Sequence, residues 1–242
     1  MLSKGHIKLV AALSTKKQRQ KQGLFVVEGT KIILESIKAG IKVKTIFATN
    51  TQVFENCNLY SDQLLKIEPE DLRIISSLQA PSESLAVLHQ PNLKKQEDSK
   101  ICLFLDQIQD PGNLGTIIRI ADWYGINKIY CQKGTVDLFN CKTLQATMGS
   151  YLRVQLEYLS DVASFFRNNS KQVFGTFLKG ENIYTTDLNT EAIIVIGNEG
   201  NGISEEIAPF IQKKITIPKI GGAESLNAGV ATAITLDNFF RH

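Results

Sequence analysis

Residues 217–236 read IPKIGGAESLNAGVATAITL. Ile217 and Pro218 close a strand, and Gly221 and Gly222 form a loop that lets backbone come close to a neighbour. Leu226, Val230, Ala233 and Ile234 then recur at helical spacing and define a buried face. Ser225 and Asn227 stand at the start of that helix. Ser225 fits an N-cap, and it also fits a ligand-facing position.

Working back along the chain, strands and helices alternate. Strands are expected at 100–108, 128–132, 153–159, 172–178, 192–200 and 214–220. Helices are expected at 113–125, around 142–149, at 161–169, at 204–212 and at the C-terminus. This alternation predicts an α/β fold: a parallel sheet with helices on both faces and its ligand at loops beyond the strands' carboxyl ends. The stretch QPNLKKQEDSK, 90–100, is too polar to bury itself, so a linker is placed at 93–100. It divides an N-terminal domain, 1–92, from a second domain, 101–242. The first domain reads as mixed α/β, with helices over 29–40 and 68–78 and strands over 42–49 and 84–90.

Bulk properties narrow the function. The longest apolar runs are far below the roughly 20 residues that cross a bilayer, and charges interrupt the N-terminus. The reading is a protein made and kept in the cytoplasm, with no membrane partner. Cys57, Cys102, Cys131 and Cys141 form no CxxC pair, so neither a metal site nor a disulfide framework is expected. The net charge of +3 is unevenly divided. Residues 1–50 hold ten Lys/Arg against two Glu, which leaves the remainder acidic. Such a split fits an anionic partner, nucleic acid above all, or a plain solvated basic face. Lys16, Lys17, Arg19 and Lys21 cluster in STKKQRQKQG, 14–23, a helix end or loop suited to a polyanion.

Three strand-to-helix turns carry candidate chemistry. In LDQIQDPGNLGTIIRIADWYG, 105–125, Leu114, Ile117, Ile118 and Ala121 form the core stripe. Asn113 fits an N-cap or a site residue. Arg119 lies off the stripe in an otherwise apolar helix, where a cation usually has a partner or ligand. In IIVIGNEGNGIS, 193–204, a strand enters a glycine turn. Its GxxGxG order departs from the dinucleotide fingerprint, and Glu199 would repel a pyrophosphate. Tight-turn geometry alone also accounts for those glycines. The third turn is the one quoted first.

These three stretches, in this order and spacing, resemble the motifs of the SpoU (TrmH) family of RNA ribose 2′-O-methyltransferases over residues 100–242. KKQRQKQGLFVVEGTKIILESI resembles that family's ribosomal-protein-like RNA-binding extension. One departure is that Ala228 and Gly229 follow SLN where the family often has valine and serine. The resemblance implies the SPOUT fold with a C-terminal trefoil knot, S-adenosylmethionine as cofactor, and a homodimer sharing the substrate site across its interface. It implies RNA as partner, ribosomal RNA before transfer RNA. Gly197, Ile217 and Leu226, with Thr176 and Pro218, match cofactor-lining positions. Asn113, Arg119, Glu199, Ser225 and Asn227 match the polar positions around the reacting groups.

A ribose hydroxyl is a weak acid, and His6, His89 and His242 lie outside the motifs. Guanidinium keeps its proton, so Arg119 is expected to act as an electrostatic stabiliser rather than a base. Rival readings are a non-catalytic RNA-binding protein on the same fold, a nicotinamide-dependent oxidoreductase resting on GNEGNG, and a base methyltransferase.

Overall fold

The structure, a computed structural model, describes residues 2–91, 97–188 and 191–241. Residues 93–96 of the expected linker lie outside the described residues, as does His242. In chain order the elements begin with α1 (Lys4–Ala12), α2 (Lys16–Gln22), β1 (Leu24–Glu28), α3 (Thr30–Lys38) and β2 (Val43–Ala48). Then come β3 (Leu64–Lys66), α4 (Pro69–Ile75), β4 (Ser84–His89), β5 (Ile101–Leu105), α5 (Pro111–Trp123) and β6 (Lys128–Cys131). The chain ends with α6 (Cys141–Thr147), β7 (Gln155–Tyr158), α7 (Val162–Arg167), β8 (Gln172–Asn182), β9 (Ala192–Ile196), β10 (Lys213–Thr216) and α8 (Ala228–Phe240).

These elements form two compact units. One comprises Met1–Leu93 and Phe139–Leu152; the other comprises Lys94–Leu138 and Arg153–His242. The first unit holds a four-stranded sheet, order β1-β4-β2-β3, antiparallel except for the β2–β3 pair. Leu24, Val26, Phe47, Leu85 and Val87 pack against Val10, Leu13, Leu72 and Ile75. Residues 139–152 complete this unit: the Phe139 and Phe25 rings lie 4.7 Å apart, and Tyr151 hydrogen-bonds Ser36 at 2.6 Å.

Helix α2 corrects one expectation. Lys16, Lys17 and Lys21 are exposed, but Arg19 is 3% exposed. Its guanidinium donates to the carbonyls of Leu13 and Ser14, both at 2.9 Å. A positive group satisfying carbonyls just past the end of α1 is a helix-terminus device. Arg19 is therefore structural, and it is not part of a phosphate-facing surface.

The second unit is a six-stranded sheet, order β10-β8-β9-β5-β6-β7, with all neighbours parallel. Strands β5, β6 and β9 are buried along their whole length, as a sheet covered on both faces requires. One face packs Cys102, Phe104, Ile193 and Val195 against Val162 and Phe166 of α7. Helices α5 and α8 pack together, and Phe239 of α8 meets the Phe174 ring edge-on at 5.0 Å.

Strand order reverses between β5 and β9, where Leu105 pairs with Ile196. The loops leaving these two strands consequently start side by side at the sheet's carboxyl edge, where open α/β sheets hold ligands.

The strands expected at 100–108 and 192–200 stop early, at Leu105 and Ile196, and two further elements differ. The helix expected at 204–212 is a turn followed by a single 3-10 turn, Ala208–Phe210. Pro209 has no N–H to continue a helix, and Asp106 already accepts the Ser204 N–H at 2.6 Å. The strand expected at 214–220 stops at Thr216. Residues 217–226 leave the sheet and all but Gly222 line a cleft, so the apolar residues among them serve that surface.

Candidate active site

The N-terminus of α5 sets the first side chain. Asp110 is the N-cap, its carboxylate accepting the Asn113 N–H at 2.8 Å, and Pro111 occupies the first turn. The cap is thus filled three residues before Asn113, whose side chain is free for other work. Its amide group donates to Glu199 Oε1 at 2.7 Å, and its oxygen accepts from Asn227 Nδ2 at 2.7 Å. Asn227 caps α8, its oxygen accepting the Gly229 and Val230 N–H groups at 2.9 and 3.3 Å.

This chain of bonds has one direction. Helix N–H groups can only donate, so the Asn227 oxygen must face them and its NH2 must face Asn113. Asn113 must then present its own NH2 to Glu199. An ionised carboxylate only accepts, and it matches the end of this relay. Asn113, Glu199 and Asn227 are thereby brought together from three separate turns.

The glycine turn is shaped by packing. A Cβ on Gly197 would lie 2.4 Å from the Gly202 carbonyl carbon, and Gly202 has φ +68°. Asn198 exchanges two backbone hydrogen bonds with Gly202, each 2.9 Å. Its side-chain oxygen accepts the Gly200 and Asn201 N–H groups. The N–H groups of Asn198, Gly200, Asn201 and Gly202 are therefore spent within the turn, which counts against a dinucleotide reading. The Asn198 amide group also donates to the Gln107 carbonyl at 2.8 Å, where Gln107 takes a left-handed backbone, φ 57°. This clamp joins the two loops, and the sequence reading did not single out Asn198. Asp110, directly before a proline, is a helix-start signal that the sequence does carry.

Beside the relay is a cleft of about 960 Å³. Thr176, Gly197, Glu199, Ile217, Pro218, Ser225 and Leu226 line it, as do Ile196 and Ile215. Thr176 donates its hydroxyl proton to the Val195 carbonyl, 3.2 Å away. Ser225 makes no cap; Asn227 does that work. Arg119 is placed differently. It is exposed on α5, does not line the cleft, and has no hydrogen bond or ion pair among the described residues. Among those residues there is also no cluster of three or more metal-ligating side chains, and no helix is long and apolar enough to cross a membrane.

The cleft's lining fits S-adenosylmethionine. Apolar walls with a few convergent polar groups suit a nucleoside-sized ligand, and the Glu199 carboxylate complements a cationic one. Thr235, also on the wall, is fully buried with its hydroxyl oxygen unpartnered. Such an atom calls for a partner that the protein alone does not supply.

Comparisons with known proteins agree. Residues 100–237 match the SpoU rRNA methylase family, and residues 4–86 match the MRM3-like substrate-binding domain. The 23S rRNA (guanosine(2553)-2′-O)-methyltransferase RlmP of Bacillus subtilis is 31% identical over 225 residues, 92% of this chain and 90% of its own. A Porphyromonas gingivalis structure assigned to the TrmH family of RNA methyltransferases superposes with a TM-score of 0.87. It is 34% identical, covering 100% of this chain and 99% of its own. An AdoMet-bound rRNA methyltransferase from Sinorhizobium meliloti also gives 0.87, at 29% identity, covering 100% and 96%. A parallel sheet with this relay beside a nucleoside-sized cleft is thus the catalytic unit of an S-adenosylmethionine-dependent methyltransferase. The substrate-binding unit that precedes it fits the same assignment. The chain belongs to the SpoU rRNA methylase family.

Proposed function

We propose that this protein methylates a ribose 2′-hydroxyl of ribosomal RNA, acting as a cytoplasmic homodimer. The observation that carries the reading is the Asn227–Asn113–Glu199 relay, which ends at the wall of the cleft. The kinship with an enzyme named for ribosomal ribose methylation supports the choice of substrate.

S-adenosylmethionine, when bound, supplies an electrophilic methyl group. Ile217, Leu226 and the glycine turn would hold it, with Ser225, Thr176 and Pro218 along the same wall. Asn113 and Asn227 orient Glu199, fixing a negative group near the donor's positive charge. Orientation by a rigid relay lowers the cost of bringing hydroxyl and donor into line.

Arg119 is exposed and does not line its own chain's cleft, which favours a site completed by a second copy. Trp123 is 85% exposed on the same helix, and Val230 and Phe240 are exposed on α8. A face of this kind on a pair of packed helices is suited to pairing with another copy. There the guanidinium would stay protonated and stabilise negative charge developing on the ribose oxygen. The C-terminal segment would thread the knot expected of the family.

The direct test is mapping 2′-O-methyl positions in total RNA with and without the gene. Loss of one ribosomal position is expected. Loss of a transfer-RNA position would move the substrate, and an unchanged map would leave a non-catalytic RNA-binding protein.

A further inference from the structure

Strand β8 breaks regular pairing beside the cleft. Gly175 pairs with Lys214, yet the next residue of β10, Ile215, pairs with Glu181. Residues 176–180 therefore bulge out of the sheet against one step of the neighbouring strand. Two glycines bracket the bulge. A Cβ on Gly175 would lie 2.7 Å from the Phe177 ring, and one on Gly180 would lie 2.6 Å from the Lys214 carbonyl oxygen. Bulges re-aim side chains and commonly stand next to active sites.

This bulge aims Phe177, Leu178 and Lys179 into the cleft lining. Leu178 is 75% exposed, which is a poor position for a leucine without a partner. The Lys214 ammonium lies 5.1 Å from the centre of the Phe177 ring. Lys219 lines the cleft beside Ile220, which is fully exposed. Across residues 172–184 and 213–224, lysines 179, 213, 214 and 219 outnumber the carboxylates Glu181 and Glu224. Lys213 is engaged with the Asp187 carbonyl. Lys179, Lys214 and Lys219 have no hydrogen bond or ion pair among the described residues.

We infer that the 176–180 bulge is a ledge for single-stranded RNA adjoining the target nucleotide. Phe177 and Leu178 take a base face, and Lys179, Lys214 and Lys219 take phosphates. Stacking surface combined with unpaired cations is how proteins hold unpaired nucleic acid, because a duplex offers no free base face. The inference rests on the RNA methyl-transfer reading and adds which surface of the catalytic unit receives the strand.

The test uses the full chain and a fluorescein-labelled oligouridylate, with binding measured at several salt concentrations. The exposed pair Lys179→Ala/Lys214→Ala is expected to bind about tenfold more weakly, with a salt slope flatter by about 1.4. Phe177→Ala is expected to lose roughly fivefold or more without a change in slope. Lys179→Arg/Lys214→Arg should restore the affinity of the double variant, and Lys214→Ala alone, which lies off the cleft lining, should weaken RNA binding while binding S-adenosylmethionine like wild type by calorimetry. Unchanged RNA affinity in the lysine variant overturns the ledge. So does a weakened cofactor with unchanged RNA binding, which would give the bulge to the cofactor. Methylation of ribosomal RNA by the wild-type protein is read separately, so failure of the parent reading shows as no transfer at all.

Discussion

Asn113 and Asn227 stand 114 residues apart in the chain and join through a 2.7 Å hydrogen bond from the Asn227 amide to the Asn113 oxygen. One belongs to the first turn of α5 and the other caps α8. The bond fixes which way the Asn113 amide points, and hence what Glu199 receives.

Asn227→Asp separates capping from the relay. A carboxylate still accepts the Gly229 and Val230 N–H groups, so the melting temperature should hold. It cannot donate to Asn113, and it adds a second negative charge near Glu199. Methyl transfer should fall by about 100-fold or more, the scale of losing one positioned donor. Asn227→Ala should lose activity and also about 1 kcal/mol of stability through the missing cap. Wild-type turnover in the Asp variant would dissolve the relay's role.

Arg119→Ala should leave stability within about 0.5 kcal/mol, because the residue is exposed. Cofactor affinity by calorimetry should be unchanged while transfer is lost. Mixing Arg119→Ala with Glu199→Gln subunits should recover roughly a quarter of wild-type activity if each site draws on both chains of a two-fold dimer. No recovery after subunit exchange would place Arg119 and Glu199 in the same chain's site.

Gly197→Ala should collapse the turn. Its new methyl would meet Gly202 and Ile203 backbone at 2.4 and 2.6 Å, and neither can rotate away as a flexible side chain would. A loss of about 1–3 kcal/mol follows from overpacking of this kind, together with cofactor binding too weak to measure. A variant with normal melting and normal cofactor affinity would show that the turn can open without cost.

Asp106 should make stability depend on pH. Burial raises its pKa above the ordinary 3.8, against the lowering effect of the Ser204 N–H that it accepts. A raised folded-state pKa favours the folded chain at low pH, and that contribution is lost as pH rises through the folded value. Asp106→Asn keeps an acceptor for the Ser204 N–H and removes the buried charge. The variant's melting temperature should therefore gain on wild type as pH climbs from 4 to neutrality. A constant difference across that range would mean that Asp106 does not titrate in the folded protein.

Much of this was legible because local chemistry and tertiary need coincide. The buried strands β5, β6 and β9 are continuous apolar runs, and helix α5 shows its stripe. Proline and a competing carboxylate defeated the helix expected at 204–212, and only the second of these required spatial knowledge. Arg19 misled because a basic run reads as a surface, whereas its position beneath the end of α1 turned it inward.

By itself the sequence determined the alternation of strands and helices, the polar residues at three turns, and the family that these define. Periodicity and composition act within a few residues, so they survive translation into a string. The tertiary structure alone decided that Asp110 rather than Asn113 caps α5, that Asn198 pins Gln107, and that Arg119 stands away from its own cleft. Those outcomes depend on which donors and acceptors meet after the sheet has brought distant loops together, and hydrogen bonds are decided at distances of about 3 Å.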